Sequence, residues 1–194
     1  IAGMPSSLDL ILVLKVIILA IMCAVLSSLF CIFMSVVHKL FRKYFKNQYV
    51  RVFAGGVMLV ILNIVLNTTD YNGTGMNIIS QALDGQAKPA AFLLKALFTA
   101  ITIGCGFRGG EIVPSFFVGA TFGCVTGGLM GMDPGFAAAL GMVCFFCGVV
   151  NCPLTSLFLS IELFGVQGIM FFTIGCAVSY MLSGYYSLYN EQKI

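Results

Sequence analysis

Charge is what this chain has least of. Of its 194 residues only 9% are Asp, Glu, Lys or Arg, while 60% are hydrophobic and mean hydropathy is +1.05. A soluble domain carries about 25% charged residues, so the composition excludes a water-covered globule and implies an integral membrane protein. The net charge of +3 is small and scattered, which excludes a nucleic-acid footprint. Histidine is reduced to His38 alone. Of the eight cysteines, Cys23, Cys31, Cys124 and Cys176 sit singly in apolar runs, where cysteine packs as a small hydrophobe. Cys144, Cys147 and Cys152 begin with a ligand-like spacing, but structural zinc needs four ligands and no second pair follows. No metal and no cofactor are expected. Ser156 and Ser160 have no partnered histidine, and a phosphate loop is absent, so the chain does not read as an enzyme. It starts at Ile1 without a cleavable signal pattern, as a piece of a longer or processed protein would.

What is present is a series of apolar segments broken by glycine, proline and a few charges. Leu8 to about Lys39 is one run containing a single lysine, Lys15, and is longer than one crossing requires, so a long tilted helix is expected. It leads into the densest basic segment, with Lys39, Arg42, Lys43, Lys46 and Arg51, which the positive-inside rule places in the cytoplasm. These basic residues read as topology anchors, not as a ligand site. Further helices are expected over Val52–Asn67, Asn77–Asp84 (too short to span), Ala90–Cys105, Ser115–Gly131, Phe136–Val150, Leu154–Phe164 and Gln167–Leu182. Two glycosylation-type sequons, at Asn67 and Asn72, are compatible with chance. Short, Gly- or Pro-interrupted segments mark discontinuous helices that meet inside a transporter.

The most informative interruption is Arg108, Gly109, Gly110 and Glu111, followed by Ile112, Val113 and Pro114. Irregular polar backbone at membrane depth is tolerated only where it is buried in protein or lines a cavity. A helix starting there, with Pro114 in its first turn, turns the backbone N–H groups of Ile112 and Val113 toward that cavity. This arrangement suits an anion. Glu111 has two readings: a carboxylate stabilised by the helix start and Arg108, or a proton-exchanging group beside the pathway. The downstream glycines Gly119, Gly123, Gly127, Gly128 and Gly131 suit close helix packing in lipid. Glu162 reads as a boundary carboxylate bonded to a neighbouring loop. Tyr185, Tyr186 and Tyr189 read as interfacial anchors or as hydroxyl donors to an anion.

These segments resemble the C-terminal half of the CLC chloride channels and anion/proton antiporters. Gly110-Glu-Ile-Val-Pro114 resembles the family's Gly-x-Phe-x-Pro element at the start of its helix N. Cys152-Pro-Leu-Thr155 with Ile161, Glu162 and Leu163 resembles its Ala-Pro-Leu-Thr and Phe-Glu-Leu-Thr pattern. The basic-ended first helix resembles helix J, and the remaining segments follow the order of helices K to R. The resemblance implies an all-α bundle of tilted and re-entrant helices, with residues 1–194 as the second half of an inverted repeat. It also implies a multi-pass protein of a bacterial plasma membrane that assembles as a homodimer through the helices at Leu154–Phe164 and Gln167–Leu182. The implied anion site is Gly110, Glu111, Ile112, Val113 and Tyr189, with Pro114 setting the helix start and chloride or fluoride exchanged against protons. Glu111, where chloride-type members carry an apolar residue, is closer to the fluoride-exporting branch. The family's first repeat, with its Gly-rich anion loop and gating glutamate, has no counterpart in this sequence, so this segment alone is expected to lack a complete pathway. A passive channel and a non-transporting membrane subunit remain alternatives here.

Overall fold

A computed structural model describes residues 9–184. The described residues are all-helical: α1 Leu10–Tyr44, α2 Gln48–Leu66, α3 Met76–Leu83, α4 Ala91–Gly104, α5 Ile112–Leu129, α6 Pro134–Val150, α7 Pro153–Phe164 and α8 Ile169–Ser183. α1, α2 and α5 are long and apolar enough to cross a bilayer. Tyr189 and its neighbours in the C-terminal tail lie outside the described residues.

The helix boundaries follow local capping chemistry. α1 opens on Asp9, whose carboxylate accepts from the Ile11 amide at 3.3 Å. It continues five residues past the Lys39 expected from hydropathy, because Leu40, Phe41, Arg42 and Lys43 are all compatible with helix. The basic pair also complements the negative end of the dipole. At about 1.5 Å per residue, its 35 residues exceed the hydrocarbon thickness and carry the basic end beyond it. The Asn47 side chain accepts from the Tyr49 amide at 3.0 Å, so α2 starts at Gln48 and not at Val52. α5 begins at Ile112, ahead of the expected Ser115. Proline has no N–H to leave unmet in a first turn, so the helix forms around Pro114 instead of after it.

α6 is the axis of the bundle. Nearly all its side chains are buried, and α1, α5 and α8 pack around it, as expected of a helix that is apolar on every side. α5 and α6 approach through glycine. A Cβ on Gly119 would stand 2.7 Å from the Gly141 carbonyl oxygen, and one on Gly141 would stand 2.6 Å from that of Gly119. Gly123 and Gly127 continue the seam against Ala137, so the packing role expected for Gly119, Gly123 and Gly127 holds. It does not hold for the other two. Gly128 is exposed, and Gly131 takes a positive φ of 65° in the turn to α6, where its carbonyl accepts from Lys15 Nζ at 3.1 Å.

α8 is pinned to α6 by Ser179 Oγ, which donates to the Cys144 carbonyl at 2.7 Å. α2, by contrast, buries only Gly55, against Cys105, and leaves Phe53, Ile64 and Val65 uncovered as a lipid-facing helix would. Glu162 is exposed on α7 and, among the described residues, makes no bond to a neighbouring loop. Its helix turns outward there, leaving Leu154, Phe158 and Leu163 exposed as well.

Candidate functional site

α4 ends at Cys105, where Gly106 takes a φ of 104° that sends the chain sharply away from the helix axis. The Arg51 guanidinium fastens this end to the basic corner, Nε donating to the Cys105 carbonyl at 3.2 Å. Phe107, Arg108, Gly109 and Gly110 then run exposed to the start of α5. Nothing stands within 4 Å of where a Cβ would be on Gly109 or Gly110, so their backbone is open to an approaching ligand. Ile112 and Val113 occupy the first turn of α5, where no carbonyl of the helix reaches their N–H groups.

This loop closes one end of a cavity of about 520 Å³ that extends along α4 to the turn at Tyr71–Thr74. Gly110, Val113 and Pro114 are on its wall, together with Thr99 and Thr102 of α4. Glu111 and Ile112 stand off that wall.

Lys95 is the residue that sequence reading passed over. It is only 2% exposed, yet its ammonium lines the cavity and donates to the Tyr71 and Gly73 carbonyls at 3.0 and 2.6 Å. The same nitrogen lies 5.2 Å from the centre of the Phe117 ring, within cation–π range. The available signal was a lone lysine in the apolar stretch Phe92–Gly104, since an ionisable group inside a membrane helix marks a functional position by default. Among the described residues no carboxylate lines the cavity. Asp70, the acidic residue next to its rim, is held by Lys88 at 3.1 Å. Lys95 and Arg108 therefore leave it electropositive.

Glu111 does not cap α5. It sits at the N-cap position with helical φ and ψ of −94° and −17° and makes no side-chain cap bond. Capping needs a short side chain on an extended residue, and Glu111 has neither. No ion pair joins it to Arg108; among the described residues the one ion pair is Lys88–Asp70. The expectation that Arg108 or the helix start would hold this carboxylate is thus corrected. Among the described residues no three His, Cys, Asp or Glu side chains gather as a metal site.

Comparisons with known proteins place this geometry. The family model for the voltage gated chloride channel matches residues 2–184. A chloride/fluoride channel protein of Pseudomonas syringae pv. tomato is 33% identical over 150 residues, covering 74% of this chain and 33% of the relative. An uncharacterized protein of Methanocaldococcus jannaschii is 24% identical over 138 residues, 69% of this chain and 34% of that protein. The crystal structure of a CLC-type fluoride/proton antiporter superposes with a TM-score of 0.93 at 31% identity, covering 98% of this chain and 49% of that one. The chain thus spans about a third of its curated relatives and about half of the solved structure.

Proposed function

This chain belongs to the voltage gated chloride channel (CLC) family, and on that premise we propose that it forms the second half of a proton-coupled halide antiporter. The observation that carries the proposal is the start of α5. The free first-turn amide of Val113 and an open Gly109–Gly110 backbone meet a cavity lined by two cations and, among the described residues, by no carboxylate. A helix N-terminus with its free N–H groups favours a small anion. The proposed anion-binding residues are Gly110, Ile112 and Val113, with Tyr189 of the C-terminal tail as hydroxyl donor and Glu111 beside them.

Glu111 is the proposed proton carrier. With no cap bond or ion pair among the described residues and only partly exposed, its carboxylate is free to gain a proton from one side and release it to the other. A carboxylate fixed by a cap or an arginine would resist protonation. Relatives described as a chloride/fluoride channel protein and a fluoride/proton antiporter support fluoride or chloride as the cargo. The proposed setting is a bacterial plasma membrane. α7 and α8 supply the homodimer surface: Leu154, Phe158, Met170 and Met181 are large apolar side chains uncovered within one copy.

The test uses the complete protein in liposomes, with fluoride and chloride efflux followed by electrode and proton uptake by a pH dye. Wild type is expected to move protons against the anion, and Glu111→Gln to lose proton uptake. Anion flux without proton movement in wild type would establish a passive channel instead. Unchanged proton uptake in Glu111→Gln would remove this residue from coupling.

A further inference from the structure

Five of the ten Lys and Arg residues fall between Lys39 and Arg51, where sequence alone reads them as topology anchors. The fold gives several of them a common focus. Only Phe45–Asn47 joins α1 to α2, so His38 and Arg42 near the end of α1 come round one cavity of about 480 Å³ with Lys46, Gln48 and Arg51. Among the described residues no acidic side chain lines it. Arg42, Lys46 and Gln48 are exposed, and Arg51 is held in place by its bond to the Cys105 carbonyl.

A second cavity, of about 500 Å³, opens on the same helical corner and is almost wholly apolar. Phe41, Tyr44 and Phe45 of the α1 end face Phe53, Val57 and Ile61 of α2 across it. Phe41 and Arg42 are chain neighbours that line one cavity each, as are Phe45 and Lys46. One turn of helix and a short connection therefore separate a basic pocket from an apolar groove. Phe53 is 75% exposed, uncovered by any of the described residues.

We infer that the α1–α2 corner is a binding site for an anionic glycerophospholipid, with the phosphate in the basic cavity and an acyl chain in the apolar groove. Charge and depth both select this ligand. The positive-inside rule puts the corner at the cytoplasmic leaflet, where anionic lipid is concentrated, and basic pockets between membrane helices on that side hold such headgroups. Arginine matches phosphate oxygens with its planar fork. Tyr44 and Tyr49, both exposed, stand at the level where aromatic side chains meet the headgroups. The groove continues along α2 from Phe53 to Ile61, about 12 Å into the hydrocarbon at 1.5 Å per residue. Residues that only set topology need not converge on a pocket, and they would not distinguish one phospholipid class from another.

The test is lipid binding to the complete, delipidated protein, measured by native mass spectrometry with added palmitoyl-oleoyl phosphatidylglycerol or the matching phosphatidylcholine. Phosphatidylglycerol is expected to be retained in preference. Arg42→Gln with Lys46→Gln should weaken its binding about 30-fold, since each basic residue near an anionic lipid contributes roughly a fivefold factor. Both side chains are exposed, so the variant is expected to fold, and an unchanged thermal midpoint checks that. Glycerol phosphate and inorganic phosphate are the competing probes. Either one displacing the lipid at comparable concentration would show a free-phosphate site and overturn the lipid assignment. Equal retention of the two lipids, or an unchanged preference in the double variant, would overturn it as well.

Discussion

Replacing Gly119 by Ala adds one methyl group at a close-packed point of the α5–α6 seam. Its Cβ would meet the Gly141 carbonyl oxygen at 2.7 Å, Phe145 Cβ at 2.8 Å and Met142 Cα at 2.9 Å. All three belong to the backbone of α6 or are fixed directly to it, so no side-chain rotation relieves the clash. Restoring a contact of 3.4 Å requires a separation of about 0.7 Å along that line, the difference between 3.4 and 2.7. Overpacking of this kind destabilises by about 1–3 kcal/mol, partly offset by up to about 1 kcal/mol because Ala favours helix over Gly.

Gly128 provides the control, in the same helix but exposed, with only Pro134 Cγ as near as 4.0 Å. Gly128→Ala should therefore gain the propensity term alone. The propensity gain is common to both, so the two variants are expected to differ by about 1–3 kcal/mol, or roughly 2–12 °C in thermal midpoint for a chain of this size. The assay is thermal unfolding of the complete protein in detergent, read by fluorescence-detected size exclusion. Gly119 is seven residues from Ile112, about 10 Å along α5, so anion flux in liposomes should fall with Gly119→Ala and persist with Gly128→Ala. Equal midpoints and equal flux for the two variants would refute the claim that glycine sets the α5–α6 distance.

Other perturbations separate the remaining contributions. Lys95→Met removes two charge-assisted hydrogen bonds and the cation facing the cavity. It is expected to raise the halide KM several-fold, with Lys95→Arg recovering part of the loss; unchanged KM in both would leave Lys95 as a structural tie for the 71–73 turn. Asn151 ends α6 at a φ of 61° while its amide nitrogen donates to the Gly184 carbonyl at 3.0 Å. Asn151→Ala should destabilise by roughly 2 kcal/mol, from the lost bond and the left-handed backbone, and Asn151→Gly by about half as much, both measurable as midpoint shifts. Asp70 donates no charge to the cavity because it accepts from Lys88, and that hydrogen bond holds the Lys88 ammonium above its ordinary value of 10.5. Because the folded-state value is raised, the stabilisation is complete below 10.5 and fades only as pH climbs past the folded value. The midpoint difference between wild type and Lys88→Ala, followed by pH titration, should therefore be flat through neutrality and shrink only in strong alkali.

Much of the fold was legible because lipid allows few solutions. An apolar run must satisfy its backbone internally and so becomes a helix. Hydropathy, glycine and proline therefore located all eight described helices, with errors mainly of a few residues at the ends. Those errors had local causes: Asn47 starting α2 early, and Pro114 sitting inside the first turn of α5. The interruption at Arg108–Glu111 was legible for the same reason, as polar backbone that lipid would reject.

The sequence by itself determined the solvent, the helices and the position of the break, since these depend on composition and on spacing along one segment. Tertiary structure decided what faces the break. Lys95 is separated by more than twenty residues from the Tyr71 and Gly73 carbonyls it binds, and no periodicity could have brought them together. Glu111 looked like a cap because carboxylates suit helix starts, but its helical backbone angles leave it without a cap bond. The basic residues of the α1–α2 corner were visible as a charge run, whereas their convergence on one cavity required the two helices to fold back against each other. Local chemistry sets where a helix begins. Only packing between distant helices sets which charges meet there.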